Sequence, residues 1–210
     1  MVVKTKINTT LIYSDDSKRR YMMTIEWDKA KQSAAIIMLS AGTSDGITFD
    51  HTTAYTISNL QRLGYGSVRI LNLYSTINNG RAVIAEDNDK RNITYIANAA
   101  KEVDTVIYAA GTGHANNKRF RQREREVMDA LKPYEDKLMC ITDGFGGRFY
   151  HPLYPKVREW KLEHFNVAEL IDNGAVTEKK IEQGAENVVV QDKNTKRPKN
   201  DDGFISISGS

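Results

Sequence analysis

Four apolar runs, alternating with segments of helical periodicity between Ser33 and His151, constrain this chain more than any other feature. The first, "SAAIIMLSAG" (residues 33–42), is a continuous apolar stretch that ends in small residues. A strand wetted on one face shows polar alternation, so this run reads as a strand buried on both faces, the mark of a parallel sheet. "SVRILNLYS" (67–75), "DTVIYAAGTGH" (104–114) and "DKLMCITDG" (136–144) follow as three further strands. Between them, "HTTAYTISNLQRLGYG" can be capped by Asp50, spaces Ala54, Ile57 and Leu60 helically, and stops at Gly64 and Gly66. "NITYIANAAKEV" puts Ile93, Ile96, Ala97 and Ala100 on one face, and "NKRFRQREREVMDALKPY" turns Phe120, Val127, Met128 and Leu131 inward. Strand–helix alternation of this kind predicts an α/β fold: a three-layer α/β/α sandwich around a central four-stranded parallel sheet.

Before this unit, "TTLIYSDDSKRRYMMTIEWD" reads as a hairpin, with β-prone runs at Thr10–Tyr13 and Arg20–Glu26 flanking the turn formers Ser14–Ser17. After Pro155 the pattern changes. Residues 156–191 read as short helical pieces, "DKNTKRPKNDDG" as a polar loop, and "FISIS" as an edge strand. The expected organisation is one α/β domain with its hairpin over residues 1–155 and a C-terminal extension over 156–210. The 210 residues and 40% hydrophobic content suffice for one real core. One cysteine, Cys140, lies in an apolar run, which excludes an internal disulfide framework and a cysteine-rich zinc site. No signal-peptide core or membrane-length apolar run is present, so a cytoplasmic protein is expected.

In open α/β sheets, sites form outside the carboxyl ends of the strands. Here those ends are Ser40-Ala41-Gly42, Asn72, Gly111 to His114, and Thr142-Asp143-Gly144, and "GGRFYHPLY" (146–154) follows the last. Neither "GTGHAN" nor "SAGTSDG" completes a dinucleotide or P-loop motif, so no cofactor is expected. The spacing of His51, His114, His151, Asp45 and Asp50 matches no standard metal pattern. No G-x-S-x-G elbow accompanies Ser40. The basic run Lys118, Arg119, Arg121, Arg123 and Arg125 reads as an outer helix face, either solvated or contacting nucleic-acid phosphates. Aromatic residues Phe49, Tyr74, Phe145, Phe149, Tyr150 and Tyr154 near the rim serve packing or base stacking.

Across roughly residues 11–156 the chain resembles the bacterial domain-of-unknown-function 1643 family. The matching features are "RRYMMTIEWD", "IIML" running into "TSDG", "RLGYGSVRILNLYS" and "RFYHPLY". The arrangement is also similar to the uracil-DNA glycosylase superfamily. Its counterparts here would be Ser40-Ala41-Gly42, Leu71-Asn72, Ala110-Gly111 and His151-Pro152. Where that superfamily has Asp or Asn before Pro, this chain has Ser40-Ala41, and a serine is no carboxylate base.

The resemblance implies a DNA glycosylase-like enzyme that hydrolyses the N-glycosidic bond of a flipped base, modified or not, in DNA. Ser40 or Asp45 would place water, with Asp50 as a further carboxylate on the same loop, and His151 would donate to the departing base. Asn72 would read the base, and Phe49 or Tyr74 would stack on it. Gly42, Gly111, His114 and Arg148 would complete the pocket, while Lys118, Arg119, Arg121 and Arg123 would contact the DNA backbone. A non-catalytic nucleic-acid or nucleotide binder, and a hydrolase of small nucleotides, remain open alternatives.

Overall fold

Buried aliphatic runs and capped amphipathic segments produce eleven elements in the computed structural model, which describes residues 2, 4–77, 89–114 and 116–171. The strands are β1 (Asn8–Tyr13), β2 (Arg20–Glu26), β3 (Gln32–Ala41), β4 (Tyr65–Ile77), β5 (Thr105–Tyr108), β6 (Leu138–Thr142) and β7 (Lys161–His164). The helices are α1 (His51–Arg62), α2 (Lys90–Glu102) and α3 (Lys118–Leu131), with a 3-10 segment at Lys132–Lys137. The strands form one sheet in the order β1-β2-β4-β3-β5-β6-β7. β3 pairs in parallel with β4 and with β5, and β5 pairs in parallel with β6. β2 joins β4, β1 joins β2 and β7 joins β6, all antiparallel.

The sheet is therefore mixed and seven-stranded, wider than the four strands expected from the sequence. The hairpin adds to one side and β7 to the other. β7 is a correction to the helical reading of the segment after Pro155. "KLEH" is short and polar because it lies at the sheet's edge, and it carries no apolar signal. The loop and edge strand expected at 192–208 lie outside the described residues.

Alternate residues of the central strands feed two cores. Ala35, Ile37, Leu71, Val106, Tyr108 and Cys140 face α2 and α3, meeting Ile96, Phe120, Val127 and Leu131. Ala34, Ile36, Val68, Ile70, Ile107 and Ile141 face α1, meeting Leu60. The segment after the last parallel strand completes both cores. Trp160 and Val157 close the α1 side, while Phe165, Val167 and Leu170 close the other. Among the described residues, no helix is long and apolar enough to cross a membrane.

Two irregularities shape the carboxyl ends of the parallel strands. In β2 the pairing with β1 steps from Ile12–Met22 to Tyr13–Arg20, leaving Tyr21 as an extra residue. Such a bulge re-aims the side chains beyond it. Tyr21 and Met22 both turn to the α2 face, where Tyr21 stacks on Tyr95 at 4.9 Å. Arg20 is thereby sent to the α1 face. In β3 a second shift falls between Ser40 and Ala41, just before the chain turns toward α1.

Candidate active site

Where β3 ends, the chain runs through Gly42 to Asp50, the N-cap of α1, and the turn encloses a cleft of about 250 Å3. Ser40, Ala41 and Gly42 form one wall, and Asp50, Thr52 and Thr53 form another. Arg20 and His151 complete it, with Met38 and Leu39 supplying apolar lining. Asp50 Oδ1 accepts the Thr53 N–H at 2.8 Å, satisfying one of the free donors of the first helical turn. Its second oxygen, Oδ2, lies where a side chain on Gly42 would be, only 2.5 Å from an ideal Cβ position. Glycine at 42 is thus what admits this carboxylate into the cleft.

His151 reaches the cleft on the shaped loop after β6. The Leu153 N–H donates to His151 Nδ1 at 3.2 Å, so the neutral ring carries its hydrogen on Nε2. Burial lowers the imidazole pKa, and the Asp50 charge opposes that shift only in part. At neutral pH the ring is an uncharged Nε2–H donor. Gly111, at φ +80°, supports it from the end of β5, and a Cβ there would stand 3.3 Å from His151 Cβ. Upstream, the Phe149 ring is buried against Phe165 and Tyr108, and Tyr150 stacks on Tyr154 at 4.6 Å. The aromatic residues of "GGRFYHPLY" therefore anchor the loop.

Arg20 was legible in the sequence only as a strand residue, yet among the described residues it is the one cation lining the cleft. It is 2% exposed. Its Nη1 donates to the Ser44 carbonyl at 2.6 Å, and its Nε has no hydrogen-bond partner among the described residues. Thr52 and Thr53 were also missed, although a capped helix starting just after a strand end is a usable signal.

Ser40, Gly42, Asp50 and His151 come together, and Gly111 abuts them; the other expected residues do not line the cleft. Asp45 is exposed, and its carboxylate accepts the Ile47 and Thr48 N–H groups at 2.9 and 2.7 Å, which lowers its pKa and makes it a turn residue. Asn72 is buried beside Met38. Tyr74 belongs to the core on the α2 and α3 face, and Phe49 packs on the α1-side core. His114 lies against Phe120 at the start of α3. Arg148 pairs with Glu169 at 2.8 Å and donates to the His164 carbonyl at 2.6 Å, tying the loop to the end of β7 and the segment after it.

The basic helix also differs from expectation. Lys118, Arg119 and Arg125 are exposed, but Arg121 and Arg123 are buried. Arg121 pairs with the buried Glu124 at 2.6 Å and donates to the Ile171 carbonyl. Arg123 Nε donates to the Leu73 carbonyl at 2.9 Å and Nη1 pairs with Glu126. Paired guanidinium groups can enter a core, which a reading of charge as surface overlooks.

Among the described residues, no three His, Cys, Asp or Glu side chains gather as a metal site. The family model described as "Protein of unknown function (DUF1643)" matches residues 20–153, well over half of the chain. The chain belongs to this family. Every cleft residue falls inside the DUF1643 span, which begins at Arg20 and ends two residues after His151. β1, β7 and the core residues from Val157 onward lie outside the DUF1643 match. No curated protein and no solved structure matches the chain.

Proposed function

We propose that the cleft hydrolyses the N-glycosidic bond of a nucleobase, as a DNA glycosylase-like enzyme acting on a flipped base. The observation that carries this reading is the convergence of Ser40, Asp50 and His151, from the end of β3, the cap of α1 and the loop after β6, in one cleft. Four parallel strands, helices on both faces and a His-Pro step after the fourth parallel strand also suit a uracil-DNA glycosylase-like chain. Asp50 takes the role that Ser40 cannot. Its Oδ2 orients a water and receives the water's proton, while the Ser40 hydroxyl helps hold that water. The water oxygen bonds to the sugar C1′, the C1′–N bond breaks, and its electron pair leaves with the base. His151 Nε2–H donates to the base as that negative charge develops.

The test is a panel of DNA duplexes and single strands carrying uracil, mismatched or modified bases, treated with the protein and then with alkali. Strand breaks at one class of base are expected. His151→Ala should slow them about 100- to 1,000-fold while DNA binding persists, because the donor acts mainly in the transition state. A panel without breaks, from protein that still binds DNA, replaces the enzyme with a binding protein on the same fold.

A second reading, hydrolysis of free nucleotides, is favoured by α3. With Arg121 and Arg123 turned inward, that helix offers fewer cations to a DNA backbone.

A further inference from the structure

We propose that Arg20 and the first turn of α1 form a phosphate subsite in the cleft, so that the ligand is a nucleotide held by its phosphate rather than a bare base. This deepens the reading above and rests on it. The argument begins with charge. A guanidinium withdrawn from water is costly unless neutralised, and it keeps its proton. Arg20 is 2% exposed, and among the described residues it makes one hydrogen bond, to a carbonyl, and no ion pair. Most of its five donors have no protein acceptor. The fold maintains this expensive arrangement with a dedicated bulge in β2.

The cleft supplies what a phosphate needs around such a cation. α1 is a 12-residue helix, and Thr52 and Thr53 place its positive end at the cleft. Thr52 brings a hydroxyl group, and the Thr53 hydroxyl, 3.0 Å from that of Ser44, lies beside it, while Ser40 and His151 stay with the water and the base. Asp50 is the opposing charge. Its Oδ1 is committed to the Thr53 N–H, and its attraction for Arg20 operates beyond ion-pair distance. Phosphate against Arg20 and water against Asp50 Oδ2 can therefore occupy different parts of the cleft. At about 250 Å3 the cavity is below the usual 300–1,000 Å3 of drug-sized ligand pockets, so it encloses part of one nucleotide and leaves the remainder at its mouth.

Calorimetry with the full chain tests this, using each common nucleoside 5′-monophosphate, the corresponding nucleosides, inorganic phosphate and a short single-stranded oligonucleotide. The monophosphate is expected to bind about 10- to 100-fold tighter than its nucleoside, the range of a charge-assisted contact. Arg20→Met should erase that preference while leaving the nucleoside affinity, and Arg20→Lys should keep part of it. Equal binding of nucleoside and monophosphate by the parent protein, or an unchanged preference in Arg20→Met, overturns the subsite. If Arg20→Met does not fold, parent protein is melted in phosphate and in chloride at matched ionic strength. A phosphate-specific rise in Tm supports the subsite, and its absence overturns it. Tighter binding of the monophosphate than of the oligonucleotide assigns the subsite to free nucleotides, and the reverse assigns it to a strand. Phosphate-dependent binding without base release keeps the subsite and removes the hydrolase. Base release at equal rates from nucleosides and nucleotides does the opposite.

Discussion

Replacing Arg121 with methionine should cost this protein much of its stability without touching the cleft. Arg121 and Glu124 are each 3% exposed and sit 2.6 Å apart, and the Tyr108 hydroxyl donates to the other carboxylate oxygen at 2.6 Å. Methionine keeps most of the arginine's volume but leaves Glu124 with one partner. Removing one member of a buried pair typically costs about 3–5 kcal/mol. For a chain of this size each kcal/mol moves Tm by about 2–4 °C, so Arg121→Met should melt about 6–20 °C early. The loss should depend on pH. Burial already raises the Glu124 pKa above its ordinary 4.5, against the lowering effects of Tyr108 and Arg121. Without Arg121 it rises further. The native state then binds more protons than the unfolded state above pH 4.5, so the variant loses stability as pH increases. Thermal unfolding followed by circular dichroism at pH 5 and pH 8 measures both effects, and the deficit should be smaller at pH 5. Arg121→Met/Glu124→Gln should recover much of the loss, because no uncompensated charge remains. A single variant that melts within about 2 °C of the parent would refute the buried-pair argument, as would a deficit that grows in acid.

Three further outcomes are expected. Asp50→Asn should reduce base release about 100- to 10,000-fold, the usual range for a general base, whereas Asp45→Asn should change only the stability of its turn; parallel rate measurements distinguish them. Gly111→Ala forces alanine into a left-handed conformation costing about 1–2 kcal/mol, so Tm should fall by about 2–8 °C, and crowding of His151 should slow any base release. Changing Lys118 and Arg125 together to Ala should lower the slope of log affinity against log salt for DNA by roughly 0.9 per lost phosphate contact, while the Arg121 variant, once corrected for unfolding, should leave that slope alone.

The parallel strands were readable because a strand buried on both faces must be apolar almost throughout, and "SAAIIMLSAG" has no other good explanation. α1 was readable for a similar reason: Asp50 caps it and Gly64 follows its end. Pairing information was weaker. Nothing in "KLEH" announces a strand, because its partner is the edge of β6 and its side chains are largely wet. For the site, strand ends and the His-Pro step pointed to Ser40 and His151, but sequence alone could not rank Asp45 against Asp50. Both are turn-loop carboxylates, and only the helix cap aims one of them inward. Arg121 and Arg123 were misread because charge normally marks a surface. Glu124, three residues after Arg121, was the available signal of a pair. Arg20 gave no signal at all, since its direction depends on a one-residue bulge in pairing.

The way residues 157–167 finish both cores has a practical meaning for the limits of the family match. A polypeptide cut to residues 20–153 would retain every residue of the cleft yet lose Trp160 from one side of the sheet and Phe165 from the other. It would also lose β1 and β7, leaving β2 and β6 with open hydrogen-bonding edges. Open edges and uncovered apolar surface favour self-association. The matched span is thus, in this chain, not a unit of folding: two aromatic plugs and two strand caps come from outside it.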